Sequence, residues 1–168
     1  MVKVVDLGGR LVGEAAASIL GYFSLRTNRM NMYDLTGIEK LTRLHDREPN
    51  LAAIDRILAR RDAQRTVATI VHEATHQIAF NSGLHARYSD CPVWLSEGVA
   101  MYFETPDLGS SKGWRTIGAV NRPRLVQFRK YLPRRPADSL RTLLTDDDRF
   151  RNSRLSLDAY AEAWALTY

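Results

Sequence analysis

The most regular pattern of hydrophobic positions in the chain is helical. Along residues 63–81, apolar side chains recur every three or four positions and form one broad face. Gly83 follows this stretch, and glycine readily adopts the left-handed conformation that commonly ends a helix. The pattern therefore predicts a helix over 63–81. Similar spacing predicts further helices over 11–20, 51–59, 92–104, 123–131, 139–145 and 157–168.

Shorter runs with a different pattern occupy residues 21–35. Two runs rich in aromatic and apolar residues flank Arg26, Thr27 and Asn28, an arrangement typical of a β-hairpin. The second strand is expected over 29–35, although its alternation is imperfect. Together these elements predict an α+β fold that is mainly helical and contains a small antiparallel sheet.

The composition is that of a globular protein. The chain has 168 residues, of which 45% are hydrophobic and 26% are charged, and these values exclude a wholly disordered or fibrous protein. We therefore expect a single domain over residues 1–168. The last predicted helix, 157–168, reaches the final residue without a capping signal, so we expect the chain to be part of a longer protein.

The sequence contains no segment that predicts a membrane anchor or a secretion signal. The longest uncharged apolar stretch, residues 15–25, is too short to span a bilayer. The start of the chain lacks a basic region followed by a long apolar region, which a secretion signal requires. No transmembrane segment is therefore expected, and these patterns give neither the compartment nor the oligomeric state.

The formal net charge of +5 comes mainly from arginine, and basic residues outnumber acidic ones between positions 115 and 154. This stretch is either a patch for nucleic acid or an acidic partner, or an ordinary solvated face. Because no known nucleic-acid-binding module accompanies it and aromatic residues are sparse there, we expect no nucleic-acid partner. The single cysteine, Cys91, excludes an internal disulfide and is interpreted as a structural or incidental thiol.

The clearest candidate chemistry lies within the predicted helix 63–81, in the sequence HEATH at residues 72–76. Histidines four positions apart project from the same face of a helix, so the imidazoles of His72 and His76 can share one zinc ion. Glu73 follows the first histidine, the position from which a general base reaches a zinc-activated water. An ordinary pair of helix histidines is the alternative, but such apolar surroundings tolerate these side chains poorly without a partner charge.

A catalytic zinc ion needs a third protein ligand and an open position for water. Glu97 is the candidate, since it lies 21 residues after His76 and leaves enough chain for a helix end, a loop and one turn of the next helix. A surface glutamate is the alternative interpretation. Gly98 argues against it, because a glycine inside a helix costs about 1 kcal/mol relative to alanine and indicates close packing.

The two motifs together resemble those of the gluzincins, zinc peptidases with a His-Glu-x-x-His helix and a distant glutamate ligand. The segment WLSEGVAMYFE, residues 94–104, is similar to the W-x-x-E-G-x-A-x-Y-x-E motif of the aminopeptidase-N-like branch. Within this clan the chain most resembles an uncharacterised bacterial domain family with a peptidase MA-like fold. Its members carry a hairpin before the zinc helix and a Tyr-x-x-x-Trp helix after it, which here would be 21–35 and the helix with Tyr160 and Trp164.

The resemblance implies a zincin-like catalytic core, a peptide or protein substrate, and one zinc ion per chain bound by His72, His76 and Glu97. Glu73 would act as the general base and later protonate the leaving amine. Tyr160 corresponds to a tyrosine that stabilises the oxyanion in the aminopeptidase branch, although a packing role in the core is an equal alternative. The second strand of the hairpin would be the edge along which an extended peptide lies.

The chain departs from these relatives at two points. Many of them have an acidic residue four positions after the glutamate ligand, where it orients a zinc-binding histidine, and this chain has Met101 there. Glu104, one turn further along the same face, or a backbone carbonyl would then have to orient the histidine. The Gly-Met-Glu-Asn sequence that anchors a free N-terminus in aminopeptidases is absent, so exopeptidase activity has no support.

Three hypotheses about function follow from the sequence. The first is zinc-dependent hydrolysis of peptide bonds with Glu73 as the general base. The second is a zinc-containing domain that captures peptides with little or no turnover, and Met101 is the feature that favours it. The third is nucleic-acid binding through the arginine-rich stretch 115–154. The isolated histidines His45 and His85 are interpreted as ordinary surface residues.

Overall fold

The fold is mainly helical with a small antiparallel sheet, as the sequence predicts. The computed structural model describes residues 21–32, 61–86, 90–105 and 117–168. The elements in chain order are β1 (Gly21–Ser24), β2 (Arg29–Met32), α1 (Arg61–Ser82), α2 (Val93–Phe103), α3 (Arg122–Tyr131), a 3₁₀ turn (Leu132–Arg134), α4 (Ser139–Thr145), α5 (Asp148–Arg151) and α6 (Ser156–Thr167). Among the described helices, none is long and apolar enough to cross a membrane.

The hairpin forms where the apolar runs predict it. Strands β1 and β2 pair antiparallel, and Asn28 closes the turn between them in the left-handed region, at φ 55°. Asparagine tolerates this conformation better than most residues. The main-chain and side-chain oxygens of Asn28 accept hydrogen bonds from Gln77 at 2.8 Å and Asn81 at 2.9 Å, so the turn is tied to α1. Residues 33–35 lie outside the described residues, as do the helices predicted over 11–20 and 51–59.

Helix α1 carries the HEATH sequence and agrees with its prediction to within two residues at each end. It ends at Gly83, whose φ of +82° is the left-handed conformation expected of a terminating glycine. The N–H of His85 then donates to the carbonyl oxygen of Ala79 at 2.9 Å, which turns the chain back over the helix end.

Helix α2 begins directly after Pro92, close to the predicted start, and packs tightly against α6. Gly98 makes this close packing possible. A Cβ atom at this position would lie 2.5 Å from the side chain of Thr167 and 3.1 Å from the carbonyl oxygen of Ala163. The close approach predicted from this glycine is therefore confirmed, and the helix on the other side is α6.

Helix α6 is the central element of the C-terminal half and packs against both α2 and α3. Helices α3, α4 and α6 confirm the predicted segments to within one residue at each end, whereas the short α5 and the 3₁₀ turn were not predicted. The main core cluster brings together Met101, Leu143, Phe150, Ala159, Tyr160, Ala163 and Trp164.

One buried carboxylate of α6 is surrounded by donors from the chain itself. Glu162 is 3% exposed. It accepts hydrogen bonds from Ser139 Oγ at 2.6 Å and Arg135 Nε at 2.7 Å, and it pairs with Arg149 at 2.9 Å. Burial by itself raises the pKa of Glu162, but these three donors outweigh it and hold that pKa below its usual range. These four residues are called the Glu162 cluster below.

Candidate metal centre

The three predicted metal ligands converge on one point. His72 and His76 lie one turn apart on α1, and Glu97 lies on the second turn of α2. One nitrogen from each imidazole and one carboxylate oxygen all lie within 4.8 Å of one another, and both histidines are buried. The predicted convergence of these side chains is confirmed.

The two imidazole nitrogens and the two Glu97 oxygens are about as close as ligand atoms that share one zinc ion. His72 Nε2 lies 3.2 Å from His76 Nε2 and 3.1 Å from Glu97 Oε2, and His76 Nε2 lies 3.4 Å from Glu97 Oε1. Zinc–ligand bonds of about 2.0–2.1 Å in a tetrahedron place neighbouring ligand atoms about 3.3–3.4 Å apart. Two imidazoles and one carboxylate also form a donor set typical of zinc sites that keep one position open. These residues therefore fit one zinc ion.

The charges around the centre favour a cation. Burial by itself lowers the pKa of His72, but hydrogen bonds to Glu104 and Glu97 outweigh it and raise that pKa to about 9. Burial conversely raises the pKa of Glu97, but the adjacent histidines hold it well below its usual range. Without a metal ion, a proton on His72 thus supplies the positive charge that the carboxylates require.

Glu104 contacts the other ring nitrogen of His72. Its Oε2 lies 2.8 Å from His72 Nδ1, and a carboxylate that accepts the Nδ1 proton leaves Nε2 for a metal ion. The sequence left two candidates for the group that orients His72, Glu104 or a backbone carbonyl. The structure shows the Glu104 carboxylate in this position. Met101, which stands where many relatives have an acidic residue, is buried in the core cluster instead.

Two residues that sequence reasoning missed complete the surroundings of Glu104. Asn121 Nδ2 donates to Glu104 Oε1 at 2.5 Å, and Arg124 Nε lies 3.5 Å from the same oxygen. Asn121 also caps α3, because its Oδ1 accepts a hydrogen bond from Arg124 N at 3.2 Å. An asparagine shortly before a proline is a signal for a helix start, and it identifies this cap but not its contact with Glu104.

Glu73, the predicted general base, directly follows His72 on α1 and is not one of the three residues that converge. The residue is 1% exposed, and its Oε2 accepts a hydrogen bond from the N–H of Phe23 at 2.8 Å. The strand whose backbone contacts Glu73 is therefore β1, whereas the sequence argument concerned the second strand. The role of Glu73 in proton transfer stays a prediction.

Tyr160 belongs to the core cluster and also lies at the border of the centre. Its ring packs edge-on against Phe150, with centroids 5.2 Å apart, and the Arg124 guanidinium lies 5.4 Å from its ring centroid. Burial and then the negative charge of Glu97 raise the pKa of Tyr160 well above its usual range, so its hydroxyl remains protonated. The packing role is confirmed, and the catalytic role stays a prediction.

The interpretation of His85 as a surface residue is wrong. The residue is 5% exposed because the chain turns back over the end of α1, and its ring lies 5.4 Å from that of Phe80. His85 Nδ1 lies 3.3 Å from Cys91 Sγ. Burial, followed by the charge of Asp147, raises the pKa of the Cys91 thiol, as expected of a structural rather than a reactive cysteine. His45 lies outside the described residues.

One protein-family model matches the chain, over residues 66–168, and its description is "Protein of unknown function (DUF1570)". The matched segment includes every residue of the candidate metal centre and more than half of the chain. Searches among curated proteins and among solved structures gave no match.

Proposed function

We propose that this chain, which belongs to the DUF1570 family of proteins of unknown function, is a zinc-dependent metallopeptidase with a zincin-like core. The observation that carries the proposal is the convergence of His72, His76 and Glu97 on one point, with a second carboxylate, that of Glu73, directly after His72 in the sequence. A hairpin next to the helix with both histidines agrees with the gluzincin resemblance of the sequence.

The ligands would be the two imidazoles and the Glu97 carboxylate, with Glu104 holding the ring of His72. Zinc bound there would polarise a peptide carbonyl and make a water molecule more acidic. Three protein ligands leave a coordination position open for this chemistry, which distinguishes catalytic zinc sites from closed structural ones.

In the proposed reaction Glu73 is the proton carrier. Its carboxylate takes a proton from the attacking water and later delivers it to the amine of the departing peptide fragment. The hydrogen bond from the Phe23 N–H at 2.8 Å limits rotation of the carboxylate.

Tyr160 is the proposed donor to the oxyanion that develops on the attacked carbonyl. Its raised pKa keeps the phenol protonated, and only a protonated phenol can donate this hydrogen bond. The substrate would be a peptide in extended conformation, and β1 is the strand beside the centre along which it would lie.

The first test is the metal content of protein purified without added metal. We expect about one zinc ion per chain, from the three ligands of a single site, and we expect His72→Ala to lose it. A wild-type protein without stoichiometric zinc would contradict the metal centre itself.

The second test separates zinc binding from catalysis. Glu73→Gln should retain zinc while its hydrolysis of an unstructured protein falls by at least about 100-fold, the lower range for loss of a general base. Asp148→Asn is the matched control, because it makes the same change at a carboxylate whose side chain is 81% exposed. Equal hydrolysis by wild type and Glu73→Gln would leave peptide capture without turnover as the function.

The capture hypothesis rested on Met101, and the contact between Glu104 and His72 removes its main support. Nucleic-acid binding is also less favoured, because three arginines of the basic stretch already pair with carboxylates of the protein itself. Arg135 and Arg149 pair with Glu162, and Arg134 pairs with Asp158.

A further inference from the structure

The carboxylate of Glu104 is held at both oxygens. Oε2 contacts His72 Nδ1 at 2.8 Å, and Oε1 accepts a hydrogen bond from Asn121 Nδ2 at 2.5 Å. Asn121 is 2% exposed, so water has little access to this contact. The side chain of Asn121 thus connects the start of α3 to the metal centre.

We propose that Asn121 is a positioning residue for metal binding, which acts through Glu104 to keep His72 Nε2 directed at the other two ligands. The inference rests on the proposed zinc site. It adds a residue that neither binds the metal nor touches a residue that does.

The torsion that sets the plane of a glutamate carboxylate has only a broad, roughly two-fold preference. The orientation of Glu104 is therefore determined by what its two oxygens contact. If Asn121 no longer held Oε1, the carboxylate would be free to rotate, and the acceptor for His72 Nδ1 would be less well defined. Arg124 would not replace the amide, because its Nε lies 3.5 Å from Oε1, which is long for a hydrogen bond.

Asn121 is itself held in place. Its Oδ1 accepts from Arg124 N at 3.2 Å as the cap of α3, and Pro123 follows in the first turn. Proline restricts the backbone there to the helical φ. Just before the cap, the carbonyl oxygen of Ala119 accepts a hydrogen bond from Thr105 Oγ1 at 2.9 Å, which ties the approach to α3 to the end of α2. A rigid support of this kind is what an orienting residue needs.

The test is the zinc dissociation constant of Asn121→Ser, measured by competition with a coloured chelator. Serine caps a helix about as well as asparagine but is too short to reach Glu104. We expect zinc binding about 3- to 10-fold weaker, below the 10–100-fold typical when a direct partner of a metal ligand is changed. Glu104→Gln should show that larger loss. Asn152→Ser is the matched control, because Asn152 Oδ1 also accepts a backbone N–H, from Arg154 at 2.9 Å, but on the exposed surface.

A double variant distinguishes positioning from a general structural effect. If Asn121 acts through Glu104, Asn121→Ser should weaken zinc binding no further in the Glu104→Gln protein. Equal affinity of Asn121→Ser and wild type, or fully additive losses in the double variant, would overturn the inference.

If Asn121→Ser does not fold, Asn121→Thr provides the same measurement. Threonine retains a capping oxygen but, like serine, is too short to donate to Glu104. We expect weaker zinc binding, and unchanged affinity would overturn the inference. A wild-type protein that binds no zinc would overturn the metal centre and this inference with it, so the two failures are distinguishable.

Discussion

Two buried carboxylates, Glu162 on α6 and Glu97 on α2, show how differently the same group is accommodated in this protein. Glu162 is surrounded by two arginines, which are permanently positive, and by one hydroxyl group. All three donate hydrogen bonds to its carboxylate. Among the residues that the structure describes, Glu97 pairs with His72 and His76, and these are positive only when protonated. The Glu162 cluster is therefore complete with groups from the chain, whereas the metal centre requires a proton or an added cation.

The comparison predicts that the first cluster stabilises the fold and the second binds a ligand. Removing a partner from a buried ion pair leaves the remaining charge uncompensated, which is strongly destabilising. Removing the cation from the proposed zinc site should cost less, because His72 can take up a proton instead.

The largest effect is expected for Glu162→Ala. It leaves Arg149, whose side chain is 13% exposed, without its carboxylate partner. We expect the free energy of unfolding to fall by about 3–5 kcal/mol, measured by urea denaturation. Zinc stoichiometry in the folded fraction should be unchanged. A Glu162→Ala protein as stable as wild type would contradict the prediction that the Glu162 cluster stabilises the fold.

Added zinc should raise the free energy of unfolding of the metal-free protein, but by less than Glu162→Ala lowers it. At free zinc 100-fold above its dissociation constant, binding to the native state adds about 2.7 kcal/mol. The measurement is thermal unfolding of chelator-treated protein with and without added zinc. His76→Ala should show no such response, and stabilisation equal to that of wild type would place the bound zinc elsewhere.

The two clusters should also differ in their response to pH. The pKa of His72 is raised to about 9, so its proton stabilises the metal-free protein fully below pH 6.5, and this contribution is lost as the pH rises through 9. Zinc must displace the same proton, so zinc affinity should rise about tenfold per pH unit from 7 towards 9. Isothermal titration in buffers of different ionisation enthalpy would detect the released proton, and a pH-independent affinity would contradict this prediction.

The smallest effect is expected for Arg134→Ala. The Arg134 side chain is 58% exposed, although its partner Asp158 is buried. Exposed ion pairs contribute little, so we expect a loss below about 1 kcal/mol in the same urea measurement. Asp158 also retains a hydrogen bond from Gln127 at 2.8 Å. A loss as large as that of Glu162→Ala would show that exposure is not what separates the two pairs.

The elements that the sequence predicts well are those determined by local patterns. The apolar period along α1 and the left-handed glycine that ends it depend on neighbouring residues only. The two histidines and Glu97 were also predicted, because a metal site restricts both the residue types and their spacing. Gly98 indicated close packing, but which helix packs there could not be read from one position.

The features that were missed depend on how distant segments meet. Asn121 reads as an ordinary helix cap, and its contact with Glu104 arises only because the end of α2 and the start of α3 lie together. His85 follows a helix end and reads as a surface residue, yet the chain folds back there and buries it. Local sequence patterns carry no information about such contacts between distant segments.

The attachment of the hairpin to α1 has a mechanical consequence. Asn28 anchors its tip to Gln77, and Phe23 anchors its body to Glu73. The hairpin therefore cannot move away from the helix unless a hydrogen bond of Glu73, the proposed proton carrier, is broken. Displacement of the hairpin and the orientation of the Glu73 carboxylate are coupled as a result.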